Sequence, residues 1–270
     1  MASTELTRIV VYGAAGRMGQ SVLAASRQRP AIEVAAALVR QGSDRVGEAL
    51  VDRGDRAGSA GRYQARLDPQ LAFDVLIDFS SSAAFDQALA LALERGAALV
   101  SGTTGLTTEQ RQKMEQAALR IPVLWSANFS LGVTLLQRLV REAARALGSE
   151  FVVEIIEAHH QNKQDAPSGT ALALGQCINE ARGQAFDPLA LLIGAKRVGP
   201  RQPDEIGFSS LRGGDIVGEH SVWFIAEGER IELSHRASSR ELFARGALRA
   251  AEWIKGRAPG LYTVDQVIAG

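Results

Sequence analysis

The first apolar run of the chain is followed at once by a glycine-rich turn and then by a segment with helical spacing. Residues 8–12 form the run, Gly13-Ala14-Ala15-Gly16-Arg17-Met18-Gly19 forms the turn, and Pro30 is expected to end the helix at about Arg29. Glycines at such a turn let the backbone closely approach a pyrophosphate at the helix N-terminus. The middle glycine stands one place later than in the commoner dinucleotide-binding fingerprint. The context favours dinucleotide binding over the alternative, a plain tight turn.

Strand and helix patterns continue to alternate through the first half of the chain. The predicted strands after the first are residues 32–39, 73–79, 97–101 and 121–125. Serines at 80–82 offer N-caps for a helix that Gly96 ends, and Thr107 with Gln110 has the spacing of a capping box. Repeated strand–helix units predict an α/β fold with a Rossmann-type, doubly wound parallel sheet.

Two further turns of small and polar residues come at the ends of predicted strands, one after residues 97–101 and one after 121–125. In open parallel sheets, ligands bind in the crevice at the carboxyl ends of the strands. We therefore expect backbone amides and hydroxyls of these turns to hold the nicotinamide and its ribose. Together with the first turn, they give these predicted cofactor contacts: Gly13, Ala14, Ala15, Gly16, Arg17, Met18, Gly102, Thr103, Thr104, Ser126, Ala127, Asn128 and Phe129.

The end of the second predicted strand bears on which dinucleotide binds. In such folds this end contacts the adenosine ribose, where an acidic residue accepts hydrogen bonds from the 2′-hydroxyl. Here Val39 and Arg40 stand at that end, and no acidic residue is present. Because a guanidinium can pair with a 2′-phosphate, the sequence predicts that NADPH is preferred and that NADH use is possible. The alternative interpretation of Arg40 is an ordinary solvated arginine.

The second half follows a different pattern, in which strands recur without helices between them. The predicted elements are a helix at 131–147, an extended loop at 183–205, strands at 207–212, 219–226 and 230–235, a turn at 227–229 and a helix at 240–255. The last helix is expected to return to the first domain. The sequence thus predicts a dinucleotide-binding domain at 1–129 and 241–270. Residues 130–240 are predicted to form an α+β substrate-binding and oligomerisation domain with a mixed sheet, whose free face is a natural oligomer interface.

Polar chemistry is concentrated where an apolar run, residues 151–156, leads toward the next helix. His159, His160 and Lys163 come first, and Asp165 and a Pro-Ser-Gly-Thr turn follow. A histidine titrates near neutrality and suits acid–base work, while a lysine supplies a cation and a proton. In a loop or incipient helix, His159 and Lys163 could lie on one side. Because the helix N-terminus at the turn can bind a carboxylate, the segment predicts a pocket for a small, multiply anionic substrate.

Three other interpretations of this segment remain open. The histidine pair could ligate zinc, but no complete ligand set is evident nearby, since His220 and His235 lie far along the chain. No metal is therefore predicted. The pair could also be ordinary polar loop residues. Cys177 could be a nucleophile, although its apolar neighbours suggest a packed core thiol. Asp165 could contact the substrate, but it is expected to orient Lys163 or to cap the turn.

Composition argues against several classes of function. Lys and Arg together number 30, as do Asp and Glu, which is unlike a general nucleic-acid binder. The single cysteine rules out a disulfide framework within the chain and suggests a reducing compartment. No apolar run approaches the roughly 20 residues of a bilayer span, and residues 1–8 lack the apolar core of a signal peptide. We expect a soluble cytoplasmic protein with neither nucleic acid nor membrane as a partner.

Several blocks of the chain resemble those of one known family. The block Glu157-Ala158-His159-His160-x-x-Lys163-x-Asp165-Ala166-Pro167-Ser168-Gly169-Thr170-Ala171 is similar to the signature of the 4-hydroxy-tetrahydrodipicolinate reductases, also called dihydrodipicolinate reductases. Further blocks at 13–19, 102–105, 127–130, 214–220 and 235–240 are similar to that family's blocks in the same order. The resemblance therefore extends along nearly the whole chain.

The resemblance implies a cytosolic homotetramer in the diaminopimelate route to lysine. It implies hydride transfer from a nicotinamide cofactor to position 4 of a cyclic dicarboxylate substrate, with loss of the 4-hydroxyl as water. His159 would be the acid–base residue and Lys163 the proton donor that also faces substrate charge. His160 would contact the substrate, and the amides of Gly169 and Thr170 would hold a carboxylate.

The chain departs from the family's pattern at one position that concerns the cofactor. Family members that use both cofactors often carry an acidic residue before the arginine, where this chain has Val39. This departure puts efficient NADH use in doubt and leaves Arg40 as the better-supported contact.

Two rival functions fit the same predicted fold. A semialdehyde dehydrogenase would need a cysteine nucleophile at a strand-to-helix turn, and Cys177 is badly placed for that chemistry. A non-catalytic sensor of NAD(P) would need the dinucleotide-binding half but no cluster of proton donors. The stretch containing His159, His160 and Lys163 therefore counts against a sensor.

Overall fold

The chain divides into two compact units. The structure, a computed structural model, describes residues 6–50, 61–184, 192–193 and 205–270. The first unit comprises Met1–Ser130 and Glu241–Gly270, and the second comprises Leu131–Arg240. The C-terminal segment thus belongs to the same unit as the N-terminal half. None of the helices in the described ranges is long and apolar enough to cross a membrane.

The first unit contains a seven-stranded sheet in which every strand pair is parallel. Its strands, numbered along the chain, are β1 (Thr7–Tyr12), β2 (Ile32–Leu38), β3 (Tyr63–Gln64), β4 (Val75–Asp78), β5 (Ala98–Ser101), β6 (Pro122–Trp125) and β12 (Gly260–Tyr262). Their order is β12-β6-β5-β4-β1-β2-β3. The chain order reverses between β1 and β4, the kind of switch point at which doubly wound sheets bind ligands. The predicted Rossmann-type sheet is confirmed.

The helices of the first unit are α1 (Arg17–Ser26), α2 (Ser82–Arg95), α3 (Thr108–Ala118), α6 (Glu241–Ile254) and α7 (Val264–Ala269). Gly96 ends α2 in the left-handed conformation with φ of 60°. The predicted capping box of α3 is present, because the Thr107 side chain accepts from the Gln110 N–H and the Gln110 side chain accepts from the Thr107 N–H. A hydrophobic core forms where Phe85 of α2 and Met114 of α3 pack against buried strand residues.

Helix α1 is shorter than predicted, and three short elements were not predicted. The helix ends at Ser26 rather than near Arg29, and the Arg29 N–H bonds the Ser26 carbonyl in a tighter turn. The reason is Pro30, which disfavours helical geometry at the residue before it. The unpredicted elements are β3, β12 and α7, with two, three and six residues.

The second unit is built on a mixed five-stranded sheet. Its strands are β7 (Val152–His159), β8 (Leu192–Ile193), β9 (Ile206–Arg212), β10 (Gly218–Ala226) and β11 (Glu229–Ala237), in the order β11-β10-β7-β9-β8. Strand β10 is antiparallel to both β11 and β7, whereas β7, β9 and β8 run parallel to one another. Helices α4 (Leu131–Leu147) and α5 (Gly169–Ala181) contribute Leu136, Val140, Leu174 and Ile178 to the core beside it. The predicted mixed sheet is confirmed.

The larger differences from the prediction in this unit concern β7 and the segment 183–205, whereas β9, β10 and β11 differ by one or two residues at their ends. Strand β7 runs through His159 instead of ending at Ile156, because Glu157 and His159 continue to pair with the neighbouring strands. Most of the loop predicted at 183–205 lies outside the described residues. Within it, Leu192–Ile193 forms β8 and pairs with β9, so this part is strand rather than loop.

Candidate active site

The glycine-rich turn between β1 and α1 is packed too closely for a side chain at Gly13 or Gly19. Gly13 has φ of +79°, and a Cβ there would lie 2.8 Å from the Phe79 carbonyl oxygen. A Cβ on Gly19 would lie 2.4 Å from the Gly13 carbonyl oxygen, and one on Gly16 would lie 3.2 Å from it. Residues 15–17 are exposed at the N-terminus of α1, where backbone N–H groups lack intrahelical partners. This open, side-chain-poor cradle fits a pyrophosphate.

A buried carboxylate, to which the sequence had given no role, organises the turn after β5. Asp78 ends β4, and one of its oxygens accepts from the hydroxyls of Ser101 and Thr103, both at 2.8 Å. Its other oxygen accepts from the Ser80 N–H at 3.0 Å. The Thr103 carbonyl in turn accepts from the indole N–H of Trp125 at 2.8 Å. Thr103 is therefore held on both sides, and the only sequence signal for this role was an aspartate at the end of an apolar run.

The predicted cofactor residues differ in how they can make contact. Thr104 and Ala127 are exposed, and Gly102, Ser126, Asn128 and Met18 are half-buried. Ala14, Thr103 and Phe129 are buried as whole residues, and the Ala14 N–H already donates to the Leu38 carbonyl at 2.9 Å. The Ser126 hydroxyl donates to the Asn128 carbonyl at 2.7 Å and fixes the turn after β6.

The residues that bear on the 2′-position of the ribose lie just beyond β2. Val39 is buried, and its N–H donates to the Gln64 carbonyl at 2.9 Å. Arg40 is exposed. The guanidinium therefore belongs to a solvent-facing side chain, whereas the valine side chain packs into the fold.

In the second unit, the carboxyl end of β7 carries a hydrogen-bonded group of charged side chains. Glu157 and His159 are two residues apart and share one face of the strand. The His159 Nδ1 and the Glu157 Oε2 lie 2.5 Å apart. Arg212, which pairs with His159 across β7 and β9, donates to both oxygens of Glu157, at 3.0 and 2.7 Å. The Ser168 N–H lies 3.3 Å from the same carboxylate.

His220 on β10 connects this group to the start of α5. Its ring meets the His159 ring edge-on, with centroids 5.1 Å apart. Its Nε2 lies 3.0 Å from the hydroxyl of Ser168, the N-cap residue of α5, and that hydroxyl also accepts from the Ala171 N–H. Burial lowers the pKa of His220 to about 4, so that the ring is neutral near neutral pH.

The remaining predicted substrate residues lie in the segment from β7 to α5. Lys163 donates to both oxygens of Asp165, at 2.7 and 2.8 Å. This contact fits the predicted role of Asp165 in orienting Lys163. The His160 Nε2 lies 3.2 Å from an Arg240 guanidinium nitrogen. Gly169 and Thr170 are the first two residues of α5. His159 lies at the end of a strand and not in an incipient helix, so that its relation to Lys163 comes from the turn between them.

The surroundings of His159 act on its protonation in both directions. Burial lowers the pKa of His159, and the positive charges of Lys163 and Arg212 lower it further, while Glu157 opposes them. For Glu157, burial acts to raise the pKa, but the hydrogen bonds from Arg212 and His159 outweigh burial and lower it. The two side chains therefore form an ionised carboxylate beside a readily deprotonated imidazole.

Within the described ranges, Glu157, His159 and His220 place potential metal ligands within 4.8 Å of one another. Arg212 already donates to both carboxylate oxygens, and its positive charge opposes a cation at the same place. We therefore interpret the group as a hydrogen-bonded acid–base network, and the absence of a metal stays a prediction.

Cys177 lies in α5 and is buried. Burial raises the pKa of its thiol, and an Arg141 guanidinium nitrogen lies 3.3 Å from the sulfur. A thiol that is held protonated inside a helix is a poor nucleophile. This placement counts against a cysteine-based dehydrogenase mechanism.

Two family models match the chain in adjacent segments. The model described as the N-terminus of dihydrodipicolinate reductase matches residues 7–129, and the model described as its C-terminus matches residues 132–268. The chain belongs to the dihydrodipicolinate reductase family. The 4-hydroxy-tetrahydrodipicolinate reductase of Pseudomonas fluorescens (strain SBW25) is 48% identical, covering 97% of this chain and 99% of the relative. That of Anaeromyxobacter dehalogenans (strain 2CP-C) is 45% identical, covering 97% and 98%.

One solved structure of a dihydrodipicolinate reductase agrees with membership of the family, and a second solved structure shares the fold. A dipicolinate-bound dihydrodipicolinate reductase from Paenisporosarcina sp. TG-14 has a TM-score of 0.72 and 25% sequence identity, covering 96% of this chain and 97% of that chain. An apo scyllo-inositol dehydrogenase from Lactobacillus casei has a TM-score of 0.57 and 12% identity, covering 99% and 89%. The second likeness shows the fold alone.

Sequence reasoning assigned no function to three side chains of the network, Glu157, Arg212 and His220. Glu157 and His220 did carry a signal, because both fall inside blocks that resemble the dihydrodipicolinate reductases. Arg212 lies outside those blocks, and its contact with Glu157 depends on the pairing of β7 with β9.

Proposed function

We propose that this member of the dihydrodipicolinate reductase family reduces 4-hydroxy-tetrahydrodipicolinate to tetrahydrodipicolinate with NAD(P)H, in the diaminopimelate route of lysine biosynthesis. The observation that carries the proposal is the cluster at the carboxyl end of β7, where His159 ends the strand and Lys163 lies between that strand and α5. The two matched relatives are named 4-hydroxy-tetrahydrodipicolinate reductase, and the match covers nearly the full length of each. Proton donors beside a carboxylate-binding helix end suit the reduction of an anionic ring.

The nicotinamide cofactor supplies the hydride when it is bound, and the residues of the chain bind the substrate and move protons. The reaction takes up one hydride and one proton and releases one water. Lys163 is the proposed donor to the negative charge that develops beside position 4, and His159 is the proposed acid–base residue. A positioned acid contributes ~10²–10⁴-fold to the rate of such a step.

The proposed substrate contacts suit a small dicarboxylate. Gly169 and Thr170 would present their N–H groups to one carboxylate at the start of α5. His160 lies beside Arg240 and would contact the substrate from that side. The solved reductase from Paenisporosarcina was bound to dipicolinate, which supports a dicarboxylate here as well.

The family is NAD(P)H-dependent, and for this chain we propose that NADPH is preferred and that NADH is possible. The exposed Arg40 can reach a 2′-phosphate, whereas the buried Val39 offers no acceptor for a 2′-hydroxyl. The glycine cradle at Gly13, Gly16 and Gly19 supports pyrophosphate binding in the same unit.

We assign cofactor binding to the first unit and substrate binding and subunit contacts to the second. A cytoplasmic homotetramer is the assembly that we expect. The support is apolar surface in the second unit, where Val152 of β7 and Leu211 of β9 are exposed. Sedimentation of the purified chain at micromolar concentration tests this assembly.

The direct test of the reaction is NADPH oxidation followed by its near-ultraviolet absorbance, with enzymatically generated substrate. We expect the absorbance to fall only when protein, NADPH and substrate are all present. The rival function is a sensor that binds the cofactor without catalysis. Cofactor binding without any substrate-dependent loss of absorbance would favour the sensor and overturn the proposal.

A further inference from the structure

Glu157 is the side chain that holds the imidazole of His159, and it is itself held at three points. Its carboxylate is buried. The Oε2 atom faces the Nδ1 of His159 at 2.5 Å and accepts from Arg212 at 3.0 Å. The Oε1 atom accepts from Arg212 at 2.7 Å and lies 3.3 Å from the Ser168 N–H. With both oxygens engaged, the carboxylate has one orientation, and it presents an acceptor to Nδ1.

This arrangement determines which ring nitrogen of His159 can exchange a proton. An ionised carboxylate is an acceptor only, so that the Nδ1 of His159 carries a proton and donates it. The Nε2 atom is then the site that gains or loses a proton during turnover. A carboxylate that orients an imidazole in this way also stabilises its protonated form.

Arg212 limits how strongly the carboxylate stabilises the protonated ring. A two-pronged guanidinium contact spreads the charge of Glu157 over two cation partners, Arg212 and the imidazole. Arg212 also donates to the Asp165 carbonyl at 2.6 Å, and the Asp165 side chain binds Lys163. The same guanidinium thus fixes the carboxylate and the loop that carries the proposed proton donor.

The charged and titratable groups facing His159 come from three strands and one loop: Glu157 of β7, Arg212 of β9, His220 of β10, and Lys163 of the following loop, which Asp165 binds in turn. Burial, Lys163 and Arg212 all lower the pKa of His159, and Glu157 raises it. The two members of the ion pair therefore act on the imidazole with opposite signs.

We propose that Glu157 and Arg212 are a positioning pair for His159, in which the carboxylate fixes the imidazole through its Nδ1–H and the guanidinium fixes the carboxylate. The proposal rests on the acid–base role proposed for His159 above. Neither residue touches the substrate or the reacting atoms in this role. Both act through the geometry and the proton affinity of His159.

The test compares the protonation of His159 in Glu157→Gln and Arg212→Gln. The ring C–H resonance of His159, assigned by its loss in His159→Gln, is followed against pH by NMR in the absence of substrate. We expect the midpoint to fall by about one pH unit in Glu157→Gln and to rise by about one in Arg212→Gln. The limb of kcat/KM against pH that His159→Gln abolishes should move in the same two directions.

Two further variants separate positioning from a general loss of structure. Glu154→Gln makes the same substitution on β7 but on the opposite face, and it should leave the His159 midpoint unchanged. Arg212→Lys keeps the charge but loses the two-pronged contact, and it should keep the native midpoint while losing about tenfold in kcat. If Arg212→Gln does not fold, the His159 midpoint in Glu157→Gln, compared with the midpoint in Glu154→Gln, still tests whether Glu157 positions the imidazole.

Midpoints that stay at the native value, or that move in the same direction in both variants, would overturn the proposal even if activity falls. Because the NMR titration needs no turnover, it tests the positioning pair independently of the proposed reductase activity. A chain that shows the opposed midpoint shifts but no substrate-dependent NADPH oxidation would keep the pair and overturn the reductase role.

Discussion

His220 shows at the scale of one residue how burial makes the fold sensitive to acid. Burial lowers its pKa from 6.5 to about 4, and the neighbouring His159 adds to the effect. Between these values the unfolded chain binds a proton that the folded chain does not, so that stability falls as the pH falls. The part of the unfolding free energy that depends on a neutral His220 is fully present above pH 6.5. It is about 3 kcal/mol, and it is lost as the pH falls to about 4.

His220→Asn should remove most of this pH dependence, because asparagine does not titrate and can still bond the Ser168 hydroxyl. Between about pH 7 and about pH 4.5, we expect the variant to lose about 2 kcal/mol less unfolding free energy than the native chain. Urea titrations at the two pH values measure both losses. Equal losses in the two proteins would show that His220 is not the group responsible.

Arg40→Ala tests the residue-scale account of cofactor choice. Loss of the exposed guanidinium removes its pairing with a 2′-phosphate, which NADH lacks, so that we expect the ratio of kcat/KM for NADH to that for NADPH to rise by about tenfold or more. Steady-state kinetics with both cofactors measures the ratio. A native chain that already uses NADH far better than NADPH would contradict the role given to Arg40.

The contacts around His159 mark the limit of sequence reasoning at this scale. His159 and Lys163 stood out because their chemistry is concentrated within one short segment. Glu157 and Arg212 are 55 residues apart, and they meet only because β7 and β9 pair in one particular register. Since register is set by packing of the whole sheet, no local pattern reveals this contact.

At the scale of elements, α1 packs so closely on the turn after β1 that the turn needs glycine for steric reasons, apart from any role in cofactor binding. A Cβ on Gly19 would lie 2.4 Å from the Gly13 carbonyl oxygen and 2.7 Å from the Ala14 Cα. Both neighbours are backbone atoms, which cannot move aside without displacing the start of α1. The third glycine of the turn is therefore required for packing, whereas the first supplies the positive φ.

Gly19→Ala should consequently weaken both the fold and the cofactor site. We expect a loss of about 2 kcal/mol in unfolding free energy and weaker binding of NADPH. The matched control is Gly61→Ala, also in the first unit, where an added Cβ meets nothing within 4 Å. Urea unfolding and a cofactor titration measure the two effects. Equal behaviour of the two variants would refute the packing requirement.

Elements were predictable where a pattern is long enough to show a period. Helix α3 was identified by its capping box, and β1 and β5 by the continuous apolar runs that are typical of buried parallel strands. Strands β3 and β12 have too few residues for any period, and they exist because they pair with β2 and β6. The prediction ended β7 three residues too early, because the polar residues at 157 and 159 broke the apolar pattern although residues 157–159 still pair with neighbouring strands.

At the scale of the whole molecule, the change of pattern near residue 130 corresponds to a change of sheet type. Alternation of strands and helices accompanies the parallel sheet, and successive strands accompany the mixed sheet. The proposed cofactor residues belong to the first unit and the proposed acid–base residues to the second. The identity of the substrate was beyond local patterns and came from the resemblance of several blocks in order.

The central claim is that His159 and Lys163 move protons for a reduction whose cofactor binds to the other unit. Steady-state turnover of His159→Gln and Lys163→Ala, together with NADPH affinity from cofactor fluorescence, tests it most directly. We predict that each variant loses at least ~10²-fold in kcat, while the Kd for NADPH stays within about twofold of the native value. Near-native turnover in both variants would contradict the claim.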